Sequence, residues 1–411
     1  MPTNKKALLS IFVTVLIDAI GYGILFPIIP RVLTDPSSTS YILSGDTRSL
    51  GFYMLGAVTA IYPLMQFLAA PILGQLSDIY GRKKLLALSV FGTAIGHFMF
   101  AIGIALKSFT LIFLGRLIDG VTAGNFAIAQ AAISDVSEPK DRAKNFGIVF
   151  SAFGIGFIVG PLLGGLLADS SLVSWFSAQV PFYFAGIIAC INTVMILKFF
   201  PKTSQKLLDV KLTFTRSVSN IRRAVTSKAE KFLFLTWFFL HAGFAFYTSF
   251  IASYYYDAFK VTERQIGFYF GLVGVGMIIT QALIVPFLGK KYTSWKTARA
   301  ALFLVSALIA SIPLLPNFSL IMVLAVVLSV FVGLMFANFS ALISIMAPPE
   351  EQGEIMGIST SVQALAQVFP PLLAGFLAAR FELSIPIFAA AIFVLVGWFI
   401  FISYTRDPKL T

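Results

Sequence analysis

Charge is scarce in this 411-residue chain: Asp, Glu, Lys and Arg make up 12% of it, about half the usual share of a soluble globular protein. With 58% hydrophobic residues and a mean hydropathy of +0.90, the chain reads as an integral membrane protein. Cysteine is nearly absent, and Cys190 alone excludes an intramolecular disulfide and argues against a metal–thiolate centre. The only histidines are His97 and His241, on different halves of the chain, so no metal site is expected. Each reads as an interhelical hydrogen-bonding group, with proton relay or substrate contact as the alternative. No phosphate-binding glycine loop, nucleophile elbow or metal-spaced His/Cys/Glu cluster occurs. An enzyme is therefore not expected, nor a cofactor.

What the chain has is long apolar runs, twelve of them, at 7–30, 49–73, 85–106, 109–133, 145–168, 180–200, 232–256, 265–288, 299–316, 318–346, 355–379 and 383–404. The expected fold is all-α, with twelve transmembrane helices in two six-helix bundles. Lys and Arg outnumber Asp and Glu by 30 to 18, but they sit in the short gaps between spans, which points away from nucleic acid. With a cytoplasmic N-terminus, 23 of the 30 fall on the inner side and six on the other, leaving Arg116 within a span. This bias predicts both termini in the cytoplasm, in a bacterial inner membrane. The first run exceeds a signal-peptide core in length and is expected to be retained.

The longest polar gap, 201–231, divides the helices six and six, giving bundles at 1–200 and 232–411 joined by a basic linker on the inner membrane face. The halves echo each other. PILG at 71–74 matches PFLG at 286–289, and GPLLGG at 160–165 matches PPLLAG at 370–375, at offsets of 215 and 210. Duplicated parallel halves are the architecture of alternating-access transporters, with a substrate site between them.

Asp18 is the only charge between Lys6 and Arg31, near the centre of the first run. An ionised group there costs at least about 2.5–3.5 kcal/mol on insertion scales, so it needs a partner or a polar cavity. GRLIDG at 115–120 supplies one in the fourth run. Arg116 and Asp119 share a helical face, so two arrangements are open: a self-contained Arg116–Asp119 pair, or an arginine shared between Asp119 and Asp18. Sharing that changes between conformers would load and release a proton.

At 74–84 the chain reads GQLSDIYGRKK, where Gly74 and Gly81 permit a tight turn and Asp78, Arg82, Lys83 and Lys84 form a charged latch. This stretch resembles the loop signature of the major facilitator superfamily. The resemblance implies that Asp78 and Arg82 engage the inner ends of helices 11 and 4, at Gly357 and Asp135. The second-half turn, 289–299, lacks the aspartate. In the fifth run, Gly156, Gly160, Pro161, Gly164 and Gly165 form a pattern similar to the signature of the drug/proton antiporter branch. The glycines every four residues are expected to allow close helix contact, with Gly267, Gly271 and Gly274 of helix 8 as facing partners.

Together these motifs look most like the tetracycline/proton antiporters and their multidrug relatives. The likeness is strong over 10–165 and weak beyond. It implies proton-coupled export of amphiphilic organic compounds by alternating access, by one copy of the chain, with Arg116 linked to coupling. Those antiporters carry further acids in helices 3 and 9; here 92–98 offers only His97 and 299–316 has none. Helices 7–12 carry no acid in their cores, so charge coupling belongs to the first half. Candidate cavity residues are Tyr22, Gln66, Asn125, Trp237, His241, Tyr247, Gln281, Asn338, Gln363 and Gln367. The alternatives are a dedicated metabolite or siderophore exporter, and an uptake symporter or facilitator for a small organic solute.

Overall fold

The computed structural model of the protein describes residues 5–44, 47–137, 142–201, 215–227, 230–346 and 352–404. Among them there is no strand, and twelve helices are long and apolar enough to cross a membrane. They are α1 Lys6–Thr34, α2 Arg48–Tyr80, α3 Arg82–Ala105, α4 Phe109–Ile133, α5 Gly147–Leu167 and α6 Val180–Phe199. After the linker come α7 Lys231–Phe259, α8 Glu263–Gly289, α9 Ser294–Leu314, α10 Phe318–Ile345, α11 Ile355–Arg380 and α12 Ser384–Ser403. Helix is the form that satisfies every backbone group internally in hydrocarbon, and the runs are too apolar for anything else.

Where the helices deviate, proline or glycine explains it. The α8 backbone widens into a π turn at Thr280–Ile284, just ahead of Pro286, which lacks the N–H for a regular ladder. The α11 helix breaks between Ala366 and Phe369, ahead of Pro370 and Pro371. In α4 a break at Ala123–Gly124 separates Phe109–Thr122 from Asn125–Val136.

The loop expected after 73 is a helix instead. Residues 74–80 extend α2 by almost two turns, and the chain reverses at Gly81 alone, with φ of 93°. Nothing from Gln75 to Tyr80 breaks a helix, and only glycine takes that dihedral freely. Gly74 is therefore a helical residue, and only Gly81 makes the turn. The linker also contains structure: Arg216–Thr226 is a helix, while 202–214 lies outside the described residues.

Within the first half α1 packs on α5, and α3 on α4 and α6; within the second α7 packs on α12, and α9 on α10 and α12. The halves meet along two seams, α5–α8 and α2–α11, with α1 also touching α7. Small residues bring the second seam together. A methyl group at Gly56 would lie 2.5 Å from the Pro371 carbonyl, and one at Gly375 would lie 2.6 Å from that of Phe52. Below, the linker side is the face bearing the 201–231 connection, and the far side its opposite.

Candidate functional site

The Arg116 guanidinium donates to the Asp119 carboxylate, Nη1 to Oδ2, at 2.7 Å, and both residues are buried. Tyr62 of α2 lies 4.0 Å from the guanidinium carbon and Tyr22 of α1 lies 5.3 Å from it, so the cation rests on two ring faces. Glycine makes this possible: a methyl group at Gly120 would stand 2.7 Å from the Tyr62 carbonyl, so only a bare backbone lets α4 reach α2. Tyr62 was not foreseen; its sole sequence signal is a polar-tipped aromatic within a span.

Asp18 is half-buried, and its Oδ1 has no hydrogen-bond partner; nor has Arg116 Nε. In this conformer the arginine is thus paired with Asp119, and Asp18 stands apart. One turn on from Asp18, Gly21 admits the His97 imidazole, whose Nε2 would lie 2.5 Å from a methyl group there. Asp18 and His97 therefore flank the same α1–α3 crossing. The space between Tyr22, Arg116 and Ser249 is about 40 Å³, which holds water but not an organic molecule.

The charged latch closes on itself. Arg82 pairs with Asp78 and with the Ser77 hydroxyl, and its Nε reaches Asp135 of the α4 extension at 3.1 Å. Among the described residues no hydrogen bond or ion pair joins Asp78 to α11; a methyl group at Gly357 would meet nothing within 4 Å, and the Gly357 carbonyl accepts from Asn220 of the linker helix at 3.4 Å.

The glycines of α5 face a different partner from the one their spacing suggested. Gly156, Gly160 and Gly164 seat α1, where methyl groups would approach the carbonyls of Leu16, Ile20 and Ile24 to 2.6–2.8 Å. The α8 glycines do meet α5, but on another face: Gly267 lies against the Pro161 carbonyl, Gly271 against the Leu162 side chain and Gly274 against that of Ile158. Gly165 completes that seam against the Glu263 backbone. One glycine row cannot serve both neighbours, because α1 and α8 flank α5 on different faces.

The second-half candidates divide. Trp237 and His241 meet edge to face with ring centres 4.3 Å apart, and Phe336 lies 5.2 Å from the imidazole. The Trp237 Nε1 donates to the Ser359 carbonyl at 3.2 Å, and His241 Nε2 is buried without a partner. Tyr247 is bonded to Tyr269, and Asn338 donates back to the Leu334 carbonyl at 2.8 Å. Gln363, Gln367 and Gln66 are half-buried, Asn125 is buried, and Gln281 is exposed in the π turn. The structure thus unites Tyr22 with Arg116 and Asp119, and Trp237 with His241, but it does not gather all ten residues into one cavity.

Sequence reasoning missed the far side. Among the described residues, three ion pairs join the halves there: Arg31–Glu263, Arg48–Asp257 at 2.6 Å and Arg264–Asp169 at 3.4 Å. Thr34 bonds Ser253 at 3.1 Å, and the Tyr256 hydroxyl donates to the Pro27 carbonyl. Hydrogen bonds from Ser171, with the Arg264 charge, hold the Asp169 carboxyl below its ordinary range. The signal was the mixture of both signs at these helix ends, read only as loop charge.

The sequence matches the Major Facilitator Superfamily over residues 11–369 and again over 233–411. The chain belongs to that superfamily. It is 32% identical over 291 residues to the class H tetracycline resistance protein of Pasteurella multocida, covering 70% of this chain and 68% of the relative. It is 26% identical over 399 residues to the class B protein of Escherichia coli, covering 95% and 92%. In fold it is similar to a bacterial homologue of the human lysosomal transporter Spinster, with a TM-score of 0.77 at 14% identity over 96% of this chain and 95% of that one. As a member of the superfamily it is an integral membrane transporter and not an enzyme.

Proposed function

We propose that this transporter exports amphiphilic organic compounds in exchange for protons. The linker side faces the cytoplasm of a bacterial cell, and the unit is a single copy of the chain. The carrying observation is Asp18, a half-buried carboxylate with an unpartnered oxygen beside a complete Arg116–Asp119 pair. Since Asp119 already balances the arginine, Asp18 is the group with no fixed counter-charge, and a proton from the far side neutralises it at least cost. With the far side closed by the three ion pairs, the proton leaves Asp18 toward the linker side as substrate enters. Balanced charge at Arg116 and a largely apolar and aromatic second half favour amphiphiles over small anions. The tetracycline resistance proteins support export and not uptake.

The test is a screen in inverted vesicles carrying an imposed pH gradient. Substrates of the proposed class collapse the gradient with the wild-type chain; failure of every amphiphile to do so contradicts export by proton exchange.

A further inference from the structure

The linker helix, Arg216–Thr226, has two faces with different contents. Ser217, Asn220 and Ala224, spaced i, i+3 and i+7, turn into the protein. The Ser217 hydroxyl donates to the Phe67 carbonyl of α2. In a regular helix that carbonyl would bond the N–H of residue 71, but residue 71 is Pro71 and has none. Asn220 reaches α11, donating to the Ser361 hydroxyl at 3.0 Å and to the Gly357 carbonyl. One short helix therefore ties α2 of the first half to α11 of the second.

Its other face is exposed. Val218, Arg222 and Val225, at i, i+4 and i+7, form one stripe, with the two valines 58% and 64% exposed. The depth of this stripe follows from the inner contacts. Phe67 lies six residues inside the apolar limit of α2 at residue 73, about 9 Å of helix, and Gly357 is two residues inside α11. That is the acyl–headgroup boundary, where an apolar strip with a snorkelling arginine is the interfacial pattern. Residues 198–231 carry nine Lys and Arg against Asp209 and Glu230, and Arg216 is exposed on the first turn of the same helix. The complementary partner is an anionic surface.

We propose that the Val218–Arg222–Val225 stripe binds anionic lipid of the linker-side leaflet, and that this contact holds the helix docked across α2 and α11 while the far side is closed. Docking and lipid contact favour each other because the docked rotation is the one that turns all three residues outward, and such coupling is reciprocal. The composition of the bilayer thereby sets how long the transporter stays in this conformer. The inference does not depend on the transported compound or on proton coupling.

The test uses the full chain with spin labels at Thr226→Cys and Met356→Cys, in a Cys190→Ser background, in nanodiscs. These hold phosphatidylcholine alone or an equal mixture with phosphatidylglycerol. Docked molecules give one short, narrow distance. The ratio of docked to released is expected to rise in anionic lipid by about fivefold for each arginine in contact. Arg216→Gln with Arg222→Gln should abolish the rise, whereas Ser217→Ala should lower the docked fraction in both lipids. Should the arginine variant not fold, high salt applied to the wild type must abolish the rise instead. Equal docked fractions in the two lipids, or a rise that survives loss of both arginines, overturn the proposal. So does an equal rise produced by soluble inorganic phosphate in phosphatidylcholine.

Discussion

The two six-helix halves share a fold but not a chemistry. The first carries Asp18, Arg116 and Asp119 in its membrane core; the second has no core acid and presents Trp237, His241 and a bonded Tyr247–Tyr269 pair in comparable space. The interfaces differ in the same sense. The α1–α5 contact inside the first half is backbone on backbone through glycine, whereas the α5–α8 seam is so only at its far-side end, where Gly165 and Gly267 meet the Glu263 and Pro161 carbonyls; toward the linker side Gly271 and Gly274 rest on the Leu162 and Ile158 side chains. The first half is thus built as a rigid holder of charge, and the linker-side part of the α5–α8 seam is lined by deformable side chains.

The strongest challenge to this contrast is to unbalance the first half. Asp119→Ala leaves the Arg116 cation buried with its main counter-charge gone, and should cost about 3–5 kcal/mol of folding stability, read by denaturation in detergent. A loss below about 1 kcal/mol would mean that Asp18 replaces Asp119 without rearrangement. Next, Gly160→Ala brings a methyl group within 2.6 Å of the Ile20 carbonyl, and overpacking against backbone is expected to cost about 1–3 kcal/mol or more. Gly271→Ala meets the Leu162 side chain, which can turn away, so its cost should be clearly smaller. Equal losses at the two sites would erase the distinction between holder and seam.

On the far side, Arg31→Gln removes a partly buried ion pair between the halves. Reaction of a Thr248→Cys thiol with an impermeant reagent added on that side should rise about tenfold. The smallest effect is expected in the second half. His241→Phe keeps the edge-to-face contact with Trp237 and removes a buried nitrogen that has no partner, so stability should be unchanged or slightly higher. The pH profile of transport should not move. A displaced profile would give the second half a titrating group of its own.

How much of this was legible before the structure varied with the kind of signal. The twelve spans followed from hydropathy alone because the bilayer fixes both their length and their backbone state. Motif spacing located Arg116 beside Asp119, since i and i+3 must share a helical face, and spacing alone left open which carboxylate holds the arginine. It did not reveal Tyr62, because that ring meets Arg116 only after α2 and α4 approach at Gly120. Nor did it reveal that the α5 glycines seat α1, since a glycine row reads the same whichever helix lies on it. The Ser217 hydroxyl was equally hidden: an unsatisfied carbonyl at Phe67 could be inferred from Pro71, but not which distant side chain would fill it. Local periodicity, in short, speaks for elements and faces, while pairing across distant segments needs the packed chain.

The central claim is that Asp18 carries the exchanged proton while the Arg116–Asp119 pair stays fixed. Its direct measurement is proton release from purified transporter in weakly buffered detergent solution on adding a compound identified by the vesicle screen. The account predicts release from the wild type and none from Asp18→Asn, although the variant still binds the compound. Release from Asp18→Asn equal to that of the wild type would contradict it.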